Sequence, residues 1–110
     1  MNRDNVQKWV DALRFDDTLK QGRYVLVDGE VMCGLGVACK VYAEEHGITV
    51  GRAAAFIGVE DTQAFLPKRV GDWLGVDRNF HSTVVYLNDA QKKSLPEIGD
   101  WIADELLKDE

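Results

Sequence analysis

A chain of 110 residues with 45% hydrophobic side chains, three Trp and four Phe holds enough apolar volume for one core without a disulfide or metal staple, since a domain of this size buries roughly two-thirds of the surface its unfolded chain exposes. Thirteen Lys and Arg against nineteen Asp and Glu leave a net charge of −6, which repels phosphate backbones and anionic lipid surfaces and favours partners with a basic surface. No apolar run reaches membrane-spanning length and no signal-peptide apolar region follows the charged start, so the expectation is a single cytoplasmic domain over 1–110.

Val6, Trp9, Val10 and Leu13 follow the i, i+3, i+4, i+7 pattern, which predicts an amphipathic helix from about Arg3 to Arg14 with Asn2 as N-cap. Phe15 to Gly22 breaks that period and reads as a polar connection. Tyr24 to Val27 and Glu30 to Cys33 are β-rich runs on either side of Asp28-Gly29, the residue pair of a type I′ hairpin turn, in which both central residues take positive φ. Leu35, Ala38, Val41 and Tyr42 then restore helical spacing, predicting a helix over about 35–46 that Gly47 ends. Residues 48–63 show no clean period and suit a short helix or an ordered loop. Pro67, Val70, Trp73, Leu74 and Gly75 describe a short third helix.

The run His81-Ser-Thr-Val-Val-Tyr-Leu87 is β-branched and aromatic, and on propensity it reads as a third short strand. Asn88-Asp89 suits a turn, and Ser94-Leu-Pro-Glu97 has capping-box form ahead of Ile98, Trp101, Ile102 and Leu106, the apolar face of a last helix. The fold class that follows is α+β: a small antiparallel sheet, made of a hairpin over 23–33 and a short strand near 82–87, packed against about four helices.

Several short motifs keep their order along the chain: Trp9-Val-Asp-Ala12-Leu13, Gln21-Gly22, the Cys-x-Leu-Gly-Val-x-Cys form begun at Cys33 and ended at Cys39, Trp73-Leu74-Gly75, Leu87-Asn88-Asp89 and Ser94 to Ile98. In these the chain resembles a group of small uncharacterised proteins of bacteriophages, prophages and actinobacteria. Gly34 stands where a second cysteine is common in that group, and Gly99 where alanine is common. The resemblance implies a phage-related origin and assigns no reaction.

The residues themselves assemble no catalytic, cofactor or metal constellation. Cys33-Gly34-Leu-Gly36 precedes a helix N-terminus, where a thiol is activated or an anion held in other proteins, but Cys39 replaces the third glycine of a dinucleotide fingerprint and no βαβ crossover follows. Cys39 and His46 lie two helical turns apart, about 10 Å along the axis, too far to share one zinc. Both cysteines are expected to be free and at least partly buried. Ser82 beside His81 faces away from it on a strand, and Cys33 has no evident base partner.

The segment Asn88 to Leu107 has a helix-turn-helix flavour, yet Glu97, Asp100 and Asp104 give its second helix an acidic face where DNA recognition needs Lys or Arg. Phe56 and Phe65 sit in irregular segments and, with that acidic face, are the candidate partner-binding residues. The leading expectation is a phage or prophage accessory protein, without chemistry of its own and without a cofactor, that binds a host or phage protein. The alternatives are a nucleic-acid-associated regulator using the C-terminal unit, and an enzyme or small-ligand binder at the Cys33 to Cys39 turn.

Overall fold

Asn2 caps the first helix as its residue type predicts, accepting from the Asn5 amide at 3.0 Å, and α1 (Arg3–Phe15) buries Val6, Trp9, Val10 and Leu13 on one face. The computed structural model, which describes residues 1–108, continues through β1 (Lys20–Gln21), β2 (Val27–Asp28), β3 (Val31–Met32), α2 (Gly34–His46), α3 (Val50–Ala54) and α4 (Gly58–Thr62). Then follow α5 (Lys68–Leu74), α6 (Arg78–Asp89) and α7 (Leu95–Ile102), the last running into a π-helical turn at Ala103–Leu107. The fold is α+β, with seven α-helices among the described residues rather than about four. The unreadable stretch 48–63 holds two of them, α3 and α4.

The sheet is small and mixed, not antiparallel. Its strand order is β1-β3-β2: β2 pairs antiparallel with β3, whereas β1 pairs parallel with β3, Lys20 opposite Val31 and Gln21 opposite Met32. The expected hairpin is therefore present but short. Its turn lies one residue later than Asp28-Gly29, because Asp28 is already paired with Val31 and only Gly29, at φ +62°, is left-handed. A type I′ turn would require two such residues.

The expected strand near 82–87 is helical, part of α6. Asp77 accepts from the Phe80 amide at 2.9 Å and so nucleates the helix, and His81, Val84 and Asn88 recur at three- and four-residue spacing on its buried side. One cap and one buried face outweigh the β propensity of Thr83, Val84 and Val85. The third strand is instead β1, in the segment read as a polar connection. Two-residue strands carry no alternation to detect.

Asn88 joins these elements. Fully buried, its Oδ1 accepts from Gln21 Nε2 at 2.9 Å and from the Gly34 amide at 3.2 Å, while its Nδ2 donates to the Gly22 carbonyl at 2.9 Å and to Asp89 Oδ1 at 2.7 Å. Gly34 in turn accepts from Trp9 Nε1 at 2.9 Å. Residues expected to make a turn thus form the polar centre linking α6, β1, the start of α2 and α1. Close packing completes it: a Cβ on Gly36 would lie 2.0 Å from the Leu26 carbonyl oxygen.

The capping box at Ser94 and Glu97 is formed, and α7 buries Ile98, Gly99 and Ile102, with Gly99 against Leu13 and Arg14 of α1, while Trp101, half-buried, stacks on Phe80 with ring centroids 5.1 Å apart. Leu107, rather than Leu106, is the more deeply buried residue of the π-helical turn.

Asn88→Ala should destabilise the protein in urea titration by at least about 1–3 kcal/mol, the cost of one stranded buried partner, since it abandons several. Gly29→Ala meets no atom within 4 Å and should cost only the left-handed backbone term, about 1–2 kcal/mol. Gly36→Ala should cost clearly more, because its Cβ would collide with backbone. Equal denaturation midpoints for the two glycine variants would contradict the close approach at Gly36.

Candidate functional site

The glycine and cysteine turn at the start of α2 is built inward. Cys33 and Cys39 are free and buried. Burial pushes the Cys33 thiol up, offset in part by the Gly36 and Leu35 amides, and pushes Cys39 up to about 12. Neither thiol is a thiolate at neutral pH. Among the described residues no three His, Cys, Asp or Glu side chains converge as metal ligands.

Glu97, Asp100 and Asp104 lie exposed along one side of the C-terminal unit, as their spacing predicts. Each has a task within the chain. Glu97 Oε1 accepts from the Ser94 amide at 3.0 Å, Asp100 pairs with Arg14 Nε at 2.9 Å, and Asp104 pairs with Lys108 at 3.4 Å. Of the expected unit from Asn88 to Leu107, Asn88 and Asp89 belong to the end of α6, and α7 turns its carboxylates to solvent.

Phe56 and Phe65 fall on a more unusual surface. They are 41% and 43% exposed, and between them Ile57 and Val59 reach 70% and 72%. The backbone beneath is firmly held. Asp61, 5% exposed, accepts from the Ile57 amide through Oδ2 and from the Lys68 amide through Oδ1, both at 2.8 Å. Arg69 donates to the Ala53 and Ala55 carbonyls at 3.1 and 2.8 Å and lies 3.8 Å from Asp61. The Ile57 amide chiefly, then that of Lys68, holds the Asp61 carboxyl below its usual range. Sequence reasoning found the phenylalanines and missed Ile57 and Val59, because without a helical or strand period nothing marks which side of a residue faces out.

Two cavities flank this loop. One, of about 240 Å³, lies under Tyr24 and is lined by Leu26, Cys33, Phe65, Val85 and Asp89 among others. Tyr24 is 80% exposed with φ +63°, and its amide donates to Asp89 Oδ1 at 3.0 Å. The other, a cleft of about 350 Å³ between α4, α5 and the start of α6, is lined by Glu60, Lys68, Asp72, Asp77, Arg78 and His81 together with Leu66, Gly71 and Val76. His81 is only 4% exposed, and neither ring nitrogen has a hydrogen-bond partner among the described residues. Read as a strand residue, it gave no such signal.

Burial lowers the His81 pKa, so the unfolded chain takes up a proton near pH 6.5 that the native ring resists. Stability should therefore fall as pH drops below about 6.5, until the native ring itself protonates. A second loss should follow below about pH 4, where Asp16, Asp61 and Glu97, all held low by hydrogen bonds, are forced to protonate. Urea midpoints measured from pH 8 to 3 should show both stages, and His81→Leu should flatten only the first. An unchanged slope between pH 7 and 5 in that variant would contradict the assignment.

Comparison with known proteins yields one finding. No curated protein and no solved structure matches the chain. A family model described as Domain of unknown function (DUF8296) matches residues 1–105, a span that takes in every α-helix and strand among the described residues. The protein belongs to the DUF8296 family.

Proposed function

We propose that the protein is a cytoplasmic binding module of phage or prophage origin that docks on a host or phage protein through the segment around α4 that carries Phe56, Ile57, Val59 and Phe65. The observation that carries this reading is the conjunction of strong apolar exposure with a braced backbone. Ile57 and Val59 stand 70% and 72% in solvent, on a segment whose Ile57 amide is held by Asp61 and whose flanks are held at Ala53 and Ala55 by Arg69 and at Lys68 by Asp61. Contiguous exposed apolar surface is characteristic of partner sites. A loop fixed in advance loses little conformational freedom when a partner covers it, so more of the interaction energy appears as affinity. The net charge of −6 favours a partner with a basic rim around the apolar contact. The acidic side of α7 supports a weaker contribution, because its carboxylates already serve Ser94, Arg14 and Lys108.

Affinity capture from host lysate with the double variant Ile57→Ser, Val59→Ser tests the reading. Both side chains are largely solvated, so the denaturation midpoint should stay close to that of the parent, while a protein captured by the parent is lost or reduced by about tenfold. Charge reversal at Asp100 and Asp104 should leave most of that capture in place and change its salt dependence. Undiminished capture by the serine variant would remove the loop from the interface.

A further inference from the structure

We propose that the cavity under Tyr24 receives an arginine side chain of the protein partner, with its guanidinium paired to Asp89 and its stem laid along the apolar wall. The proposal deepens the docking reading and rests on it for the protein source of the arginine, while the cavity, Phe65 apart, is built from different residues. It measures about 240 Å³ and lies where the segment 24–26, the start of α2 and Phe65 meet one side of α6. From α6 come Val85 and Asp89, one turn apart and therefore on the same face of the helix. Leu26, Leu35 and Phe65 supply apolar wall beside them. An apolar cavity of about 150 Å³ already admits a benzene ring, so this one has room for a side chain. Phe65 belongs both to the exposed segment of the docking reading and to this cavity, so a partner that covers the first reaches the second.

Charge selects the occupant. Asp89 is the one carboxylate among the lining residues, and it is half-buried. Its Oδ1 accepts from the Tyr24 amide at 3.0 Å and from Asn88 Nδ2 at 2.7 Å, which fixes the group in place. Besides burial, its charge pushes up the Cys33 thiol, which lines the same cavity. No Lys or Arg side chain pairs with Asp89 among the described residues; Arg23, close in space through Tyr24, donates to the Lys92 carbonyl at 3.4 Å. A side chain that fits is therefore apolar along its stem and cationic at its tip. Arginine meets both conditions, and its planar head also stacks on aromatic rings, which a lysine ammonium does not. Tyr24 and Phe65, 80% and 43% exposed, bring two such rings to the cavity. The net charge of −6 draws a basic partner toward it.

Backbone amide resonances of the intact protein, followed by NMR during titration with the peptide acetyl-Leu-Arg-Leu-amide, read the site directly. The expected result is a saturable shift at Leu26, Val85 and Asp89 and none at Gly47, beyond the opposite end of α2. The same peptide with citrulline for arginine keeps the shape, loses the charge and should bind about tenfold more weakly, the scale of one lost charge-assisted contact. Asp89→Asn keeps an oxygen for the Tyr24 amide and should weaken the arginine peptide by the same factor. Ile57→Ser, Val59→Ser should titrate as the parent does, because neither residue lines the cavity; the lysate capture and this titration therefore fail separately. Equal binding of the citrulline peptide, or an unaltered titration in Asp89→Asn, overturns the pairing with Asp89. Free L-arginine that titrates as tightly as the peptide overturns the protein source. A titration lost in the serine variant, or absence of a saturable shift with the arginine peptide, overturns the site.

Discussion

The structure depends on the buried amide of Asn88. An amide side chain removed from water must find partners, and it is costly to leave any of its groups unmatched. Here the partners come from four places: a β1 side chain, the carbonyl of the following glycine, the first amide of α2 and the neighbouring carboxylate. A sheet of two-residue strands cannot hold its own register. The amide does so by fixing β1 and the start of α2 against α6, and the Trp9 indole extends the connection to α1. The apolar core then closes around it.

This arrangement also gives several short sequence motifs a structural role. Trp9, Gln21-Gly22, Cys33-Gly34 and Asn88-Asp89 are separated in sequence yet meet through direct hydrogen bonds. They build the scaffold, and the exposed apolar segment around Ile57 and the cleft at His81 lie elsewhere. The loop around Ile57 and the cleft at His81 are both attached to that scaffold through α5, whose Arg69 braces the first and whose Gly71 opens onto the second.

The elements with a strong local code were legible. Asn2 with its apolar period gave α1, Gly47 marked the end of α2, and the Ser94 and Glu97 pair set the start of α7. The failures have equally local causes. The run 81–87 reads as a strand by side-chain branching, whereas the Asp77 cap and the buried spacing of His81, Val84 and Asn88 make it helical. β1 is too short for any pattern, and its pairing is decided by Asn88, 67 residues from Gln21. Of the candidate surfaces, Phe56 and Phe65 were found by residue type and the carboxylates of α7 by their period. The brace from Asp61 and Arg69, and the unmatched imidazole, required knowledge of which side chains are brought together in three dimensions.

The bonds of Asn88 to β1 and α2 each span 54 to 67 residues. Closing a loop of that length costs about 2 kcal/mol more chain entropy than closing a hairpin of a few residues, because the cost rises with the logarithm of length. The cost is incurred once. After the first of these contacts forms, the others join segments that are already adjacent. Opening any one of them therefore returns little entropy while its neighbours hold, and the sheet, α2 and α6 separate together or not at all.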